Sequence, residues 1–208
     1  MISRYQIGNA QTIGCRSVQS NYFSTTYTDN GDLFAVLADG TIDHANGRKA
    51  AVTAVEYCVD SFLRNPRAYT SQFMLETAIN ANRRIQDAIF TGKNPRLSLT
   101  MILFTDESLQ YFNVGVNKIC LYNGHNEQIL GSNANNSHSS GICGLSPKNI
   151  VYILSAGAHT DAHPMERIKI IESKKKLFDK TQAIIESVKV KGLNNQMNAT
   201  ALLIEVVK

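Results

Sequence analysis

The sequence is poor in charged residues, which make up 18% of the chain where roughly a quarter is usual. Its 21 Lys and Arg and 17 Asp and Glu leave a formal net charge of only +4. The visible basic run, Lys174–Lys176, lies close to Glu172 and Asp179 and is typical of a solvated helix face. Nucleic-acid binding needs a larger basic stripe interleaved with aromatic residues. We therefore expect no nucleic-acid partner.

Paired cysteines and long apolar runs are also missing. The chain contains four cysteines: Cys15, Cys58, Cys120 and Cys143. None forms a C-x-x-C pair, which argues against zinc, and their spacing is not that of a disulfide framework. No segment approaches the ~20 apolar residues of a membrane helix, and the N-terminal residues do not resemble a signal peptide. These features predict a cytoplasmic protein that does not bind membranes.

Apolar segments of strand type and of helix type alternate in blocks along the chain. An early block of strands includes Tyr22–Tyr27 and the apolar run Leu33–Ala38, with a turn around Asn30-Gly31. Helical spacing follows in Ala45–Leu63 and Ser71–Phe90. The later predicted elements are strands at Leu97–Thr105, Gln110–Val114, Lys118–Asn123, Ile150–Leu154 and Ala201–Val207, a loop over 131–149, and helices over 164–171 and 173–190.

This grouping predicts a single α+β domain over residues 1–208. Helices grouped between blocks of antiparallel strands favour a layered architecture over a doubly wound parallel sheet. Two antiparallel sheets packed face to face, with a helix pair outside each, would bury every apolar stripe. The predicted fold is therefore a four-layer αββα sandwich.

The strand Phe34–Ala38 ends at Asp39-Gly40, and a helix begins shortly afterwards. This arrangement places one carboxylate and one free backbone carbonyl at the end of a strand, where they can bind a hard divalent cation. Asp-Gly is also a common turn pair, so a purely structural role for Asp39 stays open.

Several landmarks carry a resemblance to a known family. They are Gly14-Cys15-Arg16, Phe34–Gly40, His44–Gly47, Ser98–Thr100, Asn113–Lys118, Ile150–Gly157 and Gln196–Thr200. In this order they resemble the metal-dependent Ser/Thr protein phosphatases, the PPM or type 2C family. The resemblance implies the αββα fold, two Mn²⁺ or Mg²⁺ ions that activate water, and hydrolysis of phosphoserine and phosphothreonine. It also implies metal ligation by Asp39 and the Gly40 carbonyl, and a phosphate contact by Arg16.

The chain departs from the family at most of its acidic positions. The replacements are Ser20, Asn21, Val116, Ala156 and Met197. One carboxylate with neutral oxygens cannot balance the four positive charges of two dications, and a thioether is unsuited to Mg²⁺ or Mn²⁺. The sequence therefore predicts a pseudophosphatase, a catalytically impaired domain that needs no cofactor. It would act as a binding or regulatory module for a protein partner or a phosphoprotein.

Two alternatives keep a metal in the chain. An active Mn²⁺- or Mg²⁺-dependent phosphatase with a rearranged site would draw on Asp29, Asp32, Asp43 or Asp161, although Asp43 more often caps the following helix. The run His159-x-Asp161-x-His163 is more typical of a solvated loop leading to Pro164, but it is also the best candidate for a compensating metal site.

Overall fold

The computed structural model describes residues 4–40, 44–66, 69–89, 97–132 and 138–207. Within these ranges the chain forms ten strands and five helices. The strands are β1 (Tyr5–Thr12), β2 (Asn21–Tyr27), β3 (Leu33–Gly40), β4 (Leu97–Phe104), β5 (Ser108–Val114), β6 (Lys118–Tyr122), β7 (Glu127–Ser132), β8 (His138–Gly144), β9 (Ile150–Leu154) and β10 (Ala199–Val206). The helices are α1 (His44–Arg64), α2 (Ser71–Ala88), α3 (Ala156–Asp161), α4 (Pro164–Glu172) and α5 (Leu177–Lys189).

The strands form two five-stranded antiparallel sheets. The first has the order β1-β10-β9-β6-β7 and the second the order β2-β3-β4-β5-β8. Helices α1 and α2 cover the outer face of the second sheet, and α3, α4 and α5 lie on the side of the first. The predicted α+β sandwich with αββα layers is confirmed, with a short third helix, α3, added to one of the predicted pairs.

Three apolar clusters fill the three spaces between the layers. Strand β3 contributes to two of them: Phe34 and Val36 pack towards α1 and α2, while Leu33 and Leu37 pack between the sheets. Because both faces are covered, all eight residues of β3 are buried. This explains why its sequence is a continuous apolar run without the alternation of a half-exposed strand.

The predicted loop over 131–149 is wrong for much of its length. Strand β7 continues to Ser132, and His138–Gly144 forms β8, which pairs with β5. β8 lies at a sheet edge and is exposed at every second residue. An edge strand of this kind tolerates Ser and Gly, so its composition resembles that of a loop.

The second helical region is also divided differently from the prediction. Helix α5 begins at Leu177, so Lys174–Lys176 lie in the turn after α4 and are exposed there. They are solvated, as expected, but not on a helix face. Helix α3 was missed because six residues are too few to show a helical period.

Two glycines allow α1 to approach the end of β3. A Cβ atom on Gly47 would lie 2.7 Å from the Gly40 carbonyl oxygen, and a Cβ on Gly40 would overlap the backbone of Gly47. Backbone atoms on both sides leave no flexible group to move away. This contact fixes the start of α1 against the strand that carries Asp39.

We expect Gly47→Ala to destabilise the protein, by about 1–3 kcal/mol, because the added methyl group overpacks this contact. Helix propensity alone would give the opposite sign, since Ala is better than Gly by roughly 1 kcal/mol within a helix. Urea unfolding measures the difference, with Glu56→Ala on the exposed face of the same helix as a control that should be near neutral. An increase in stability for Gly47→Ala would contradict the proposed contact.

Candidate functional site

Asp39 lies near the end of β3 and faces the space between the two sheets, on the same side of the strand as Leu37. The Gly40 N–H donates to the Ser20 carbonyl at 3.3 Å, which makes Ser20 and Gly40 a hydrogen-bonded pair. Asn21 and Asp39, next in register, therefore form a non-hydrogen-bonded pair. Side chains of such pairs lie especially close together, so Asn21 is the immediate neighbour of Asp39.

Hydrogen bonds join this strand pair to the opposite sheet. Asn21 Nδ2 donates to Thr200 Oγ1 at 3.0 Å, and the Ser20 N–H donates to Asn198 Oδ1 at 2.8 Å. The Thr200 N–H in turn donates to Ser155 Oγ at 2.9 Å. Segments that the sequence places far apart, around residues 20, 39, 155 and 198, thus meet at one end of the sandwich.

The Asp39 carboxylate has a backbone partner. Its Oδ2 atom accepts a hydrogen bond from the Ala156 N–H at 3.3 Å, and the residue is only 6% exposed. Burial raises the pKa of Asp39 from its ordinary value of 3.8 to about 6, and the hydrogen bond from Ala156 offsets only part of that rise. Burial costs the charged form its hydration, and no described charge is near enough to compensate for it.

Neutral residues occupy the positions at which the resemblance to the phosphatases implies acidic ones. Asn21 is fully buried, and its Oδ1 atom has no hydrogen-bond partner among the described residues. Ala156, at the start of α3, presents only a methyl group beside the N–H that binds Asp39. Met197 is half-buried next to Gly157, and Val116 is 39% exposed. The structure thus brings Asn21 and Ala156 to Asp39, and among the described residues it adds no negative charge there.

Arg16 is exposed in the segment between β1 and β2. That segment is held against the loop before β10, because the Cys15 N–H donates to the Gln196 carbonyl at 3.0 Å. The described contacts do not test a phosphate-binding role for Arg16, which stays a prediction. The same applies to metal ligation by Asp39 and the Gly40 carbonyl.

The alternative carboxylates lie elsewhere. Asp32 precedes β3 and faces Arg4 at 3.9 Å, whereas Asp39 is near the far end of the same strand, roughly 23 Å away at ~3.3 Å per residue. Asp29 belongs to the same turn as Asp32. The predicted helix cap Asp43 lies outside the described residues.

The His159, Asp161 and His163 side chains do not come together. His159 Nε2 contacts the Val116 carbonyl at 2.7 Å, and His163 Nδ1 accepts from the Met165 N–H at the start of α4. Over the described ranges, no three His, Cys, Asp or Glu side chains gather into a metal-binding group. The compensating metal site is therefore wrong as a prediction for these three residues.

Sequence reasoning missed two supports of the site. Arg48 Nη1 donates to the Asn21 carbonyl at 2.6 Å, and its guanidinium lies 4.6 Å from the centre of the Tyr22 ring. Thr200 receives the Asn21 amide from across the sandwich. The closing motif Asn198-x-Thr200 was a usable signal for Thr200, whereas nothing in the local sequence marks Arg48.

Known proteins match this chain by structure but not by sequence. No protein-family model matches the chain, and no curated protein matches it significantly. Solved structures do match. A serine/threonine phosphatase from S. agalactiae has a TM-score of 0.82 at 19% identity, covering 97% of this chain and 99% of that one. The catalytic domain of the serine threonine protein phosphatase PstP, in complex with 2 manganese ions, gives 0.82 at 13% identity, with 98% and 99% covered. Stp1 from Staphylococcus aureus gives 0.79 at 13% identity, with 100% and 96% covered.

The chain has the PPM phosphatase fold. The fold implied by the sequence resemblance is therefore confirmed, across nearly the whole length of both chains. At these identities the likeness concerns the arrangement of the backbone, and a shared fold does not establish a shared reaction. None of the described helices is long and apolar enough to cross a membrane.

We expect Asp39→Asn to stabilise the protein at pH 7.5, by up to about 3 kcal/mol. The folded-state pKa is about 6, above its ordinary value of 3.8, so ionised Asp39 opposes folding at neutral pH. The free energy of unfolding of the wild type should rise relative to that of the variant as the pH falls from 7 towards 4, because Asp39 becomes protonated in this range. Urea unfolding across this range measures the gap, and a variant that is less stable at pH 7.5 would contradict the assignment.

Proposed function

We propose that this chain is a phosphatase-fold binding module that does not hydrolyse phosphate esters. The observation that carries the proposal is the neutral character of the described neighbours of Asp39, which are Asn21 across the strand pair and Ala156 at the start of α3. Hydrolysis by this family depends on a pair of metal ions that supply the attacking water. The residues that the structure describes around Asp39 do not fit such a pair.

Charge is the first reason for the misfit. Two dications bring four positive charges, and Mg²⁺ or Mn²⁺ is held by several hard oxygen ligands, mostly carboxylates. Asn21 offers a neutral amide, Ala156 a methyl group and Met197 a soft thioether. A cation pair beside Asp39, which is only 6% exposed, would be left largely unbalanced, and burying uncompensated charge costs free energy.

The hydrogen bond on Asp39 is the second reason. The Ala156 N–H occupies one oxygen of the Asp39 carboxylate with a donor. This suits a carboxylate that belongs to a hydrogen-bond network.

The alternative is an active Mn²⁺- or Mg²⁺-dependent Ser/Thr phosphatase with a rearranged site. The match to PstP, whose structure contains 2 manganese ions, is what favours it. It needs acidic side chains beside Asp39. Among the described candidates, Asp29 and Asp32 precede the opposite end of β3, and Asp161 is the last residue of α3, the helix that begins at Ala156. The donor set therefore supports the binding module more strongly.

The proposed ligand is a protein partner, either unmodified or carrying a phosphorylated segment. Arg16 is exposed near the loop before β10, and a guanidinium fits a phosphate through its planar fork of donors. We propose Arg16 as the phosphate contact for a modified partner. No metal takes part in that contact.

We expect no metal-dependent turnover of p-nitrophenyl phosphate or of a phosphothreonine peptide with millimolar Mn²⁺. The rate with metal should equal the rate of Asp39→Ala, since no activated water is available to either protein. The PstP catalytic domain serves as a positive control under the same conditions. Robust turnover in the wild type that Asp39→Ala abolishes would overturn the proposal.

We expect metal binding to return when acidic residues are restored at three positions. In the variant Asn21→Asp/Ala156→Asp/Met197→Asp, millimolar Mn²⁺ should raise the unfolding temperature by several degrees, because a ligand that binds only the folded state stabilises it. The matched control Ala156→Asn/Met197→Asn adds similar side chains without charge and should not respond. The proposal fails if the wild type responds to Mn²⁺ as strongly as the restored variant.

A further inference from the structure

Strand β8 forms one edge of the second sheet. The Leu145 N–H donates to the Glu107 carbonyl at 2.8 Å, so Leu145 and Glu107 are a hydrogen-bonded pair in the register of β8 with β5. This pair determines which residues of β8 bond to β5. Odd-numbered residues of β8 therefore bond to β5, and even-numbered residues direct their N–H and C=O groups away from the sheet. The outward-directed residues are His138, Ser140, Ile142 and Gly144.

Within the part of the chain that the structure describes, this edge shows none of the usual protection against pairing. His138–Gly144 contains no proline, lysine, arginine or carboxylate, and all four outward-directed residues are exposed. Ile142 is 71% exposed. The hydrogen bond that the described residues make to an outward group is a weak one, from Cys143 Sγ to the Gly144 carbonyl. Natural sheet edges normally carry charges, proline or bulges because open edges pair with other chains.

The other edge strands differ from β8. On β2, the Asn21 carbonyl accepts a hydrogen bond from Arg48 of α1. β7 begins with Glu127, and its register with β6 shifts between Ile119 and Cys120. On β1, the Asn9 carbonyl accepts from Gln182 of α5. Among the described edges, β8 is thus the one without a charge, a bulge or a helix side chain on its backbone.

We propose that β8 pairs antiparallel with β8 of a second copy of this chain, centred on Gly141. In that register Ser140 faces Ile142 of the second copy and His138 faces its Gly144. All four outward-directed residues of each copy then form backbone hydrogen bonds with the second copy, about eight bonds in total. The β2-β3-β4-β5-β8 sheets of the two copies then form one continuous ten-stranded sheet across the dimer.

The sequence of β8 favours a copy of itself as the occupant. Gly141 meets Gly141 on the two-fold axis as a non-hydrogen-bonded pair, where strands approach most closely and a small residue is easiest to place. Ile142 lies opposite the small Ser140 in both halves of the interface. Because the strand is uncharged, self-pairing brings no like charges together.

Ser140→Pro tests the free edge without disturbing the fold. The Ser140 N–H points away from β5, so proline removes no hydrogen bond of the sheet and is acceptable on an edge. Sedimentation equilibrium should show the wild-type mass doubling as the concentration rises to ~100 μM, with the dissociation constant at least ~10-fold weaker for Ser140→Pro. Ser140→Ala keeps the N–H and should behave as the wild type. Circular dichroism checks that each variant is folded.

Two outcomes of that experiment overturn the proposal. One is a wild-type protein that stays monomeric throughout the concentration range. The other is a folded Ser140→Pro variant that dimerises as strongly as the wild type, which would place the interface elsewhere.

A disulfide tests the register. The proposed pairing puts Ser139 opposite Cys143 of the second copy, with Cα atoms about 4.5 Å apart, which a disulfide can span. Within one chain the same residues are about 13 Å apart along the strand. In a Cys15→Ser background, Ser139→Cys should give a covalent dimer under mild oxidation, and Cys143→Ser should abolish it. Failure to form this dimer overturns the register centred on Gly141.

Discussion

The carboxylate of Asp39 lies between two sheets with a backbone N–H as its partner, and its neighbours among the described residues are neutral. This environment of Asp39 limits the chemistry that is possible at that end of the sandwich. A buried charge must be matched by an opposite charge, hydrogen-bonded, or neutralised by a proton. Asp39 has the hydrogen bond from Ala156, and burial raises its pKa to about 6.

The fold does not depend on that site. Three apolar clusters separate the four layers, and β3 is buried on both faces along its whole length. Hydrophobic patterning of this kind survives extensive substitution, which is consistent with TM-scores near 0.8 at 13–19% identity. The acidic residues can therefore be lost while Asn21 and Thr200 still join the two sheets.

Much of the architecture could be predicted from the sequence, since its strands and helices are strongly patterned. Leu33–Ala38 indicated a doubly covered strand, and the blocks of strands and helices indicated four layers. β8 could not be found in this way, because an edge strand exposed at alternate residues has no core to select apolar side chains. The single-domain organisation over 1–208 stays a prediction.

The candidate site could be predicted only in part. The Asp39-Gly40 pair and its missing acidic partners are visible in the sequence. The contact between Asn21 and Asp39 depends on register, and the bond from Ala156 depends on how α3 follows β9. The raised pKa of Asp39 follows from burial, which no local sequence pattern reports.

The most direct test is an NMR titration of the Asp39 carboxyl carbon with and without millimolar Mg²⁺. A carboxylate held in a neutral hydrogen-bond network should titrate near pH 6, and the midpoint should not move when Mg²⁺ is added. A midpoint at or below the ordinary aspartate value, or one that falls by a unit or more with Mg²⁺, would show that cations still bind there and would contradict the proposed role.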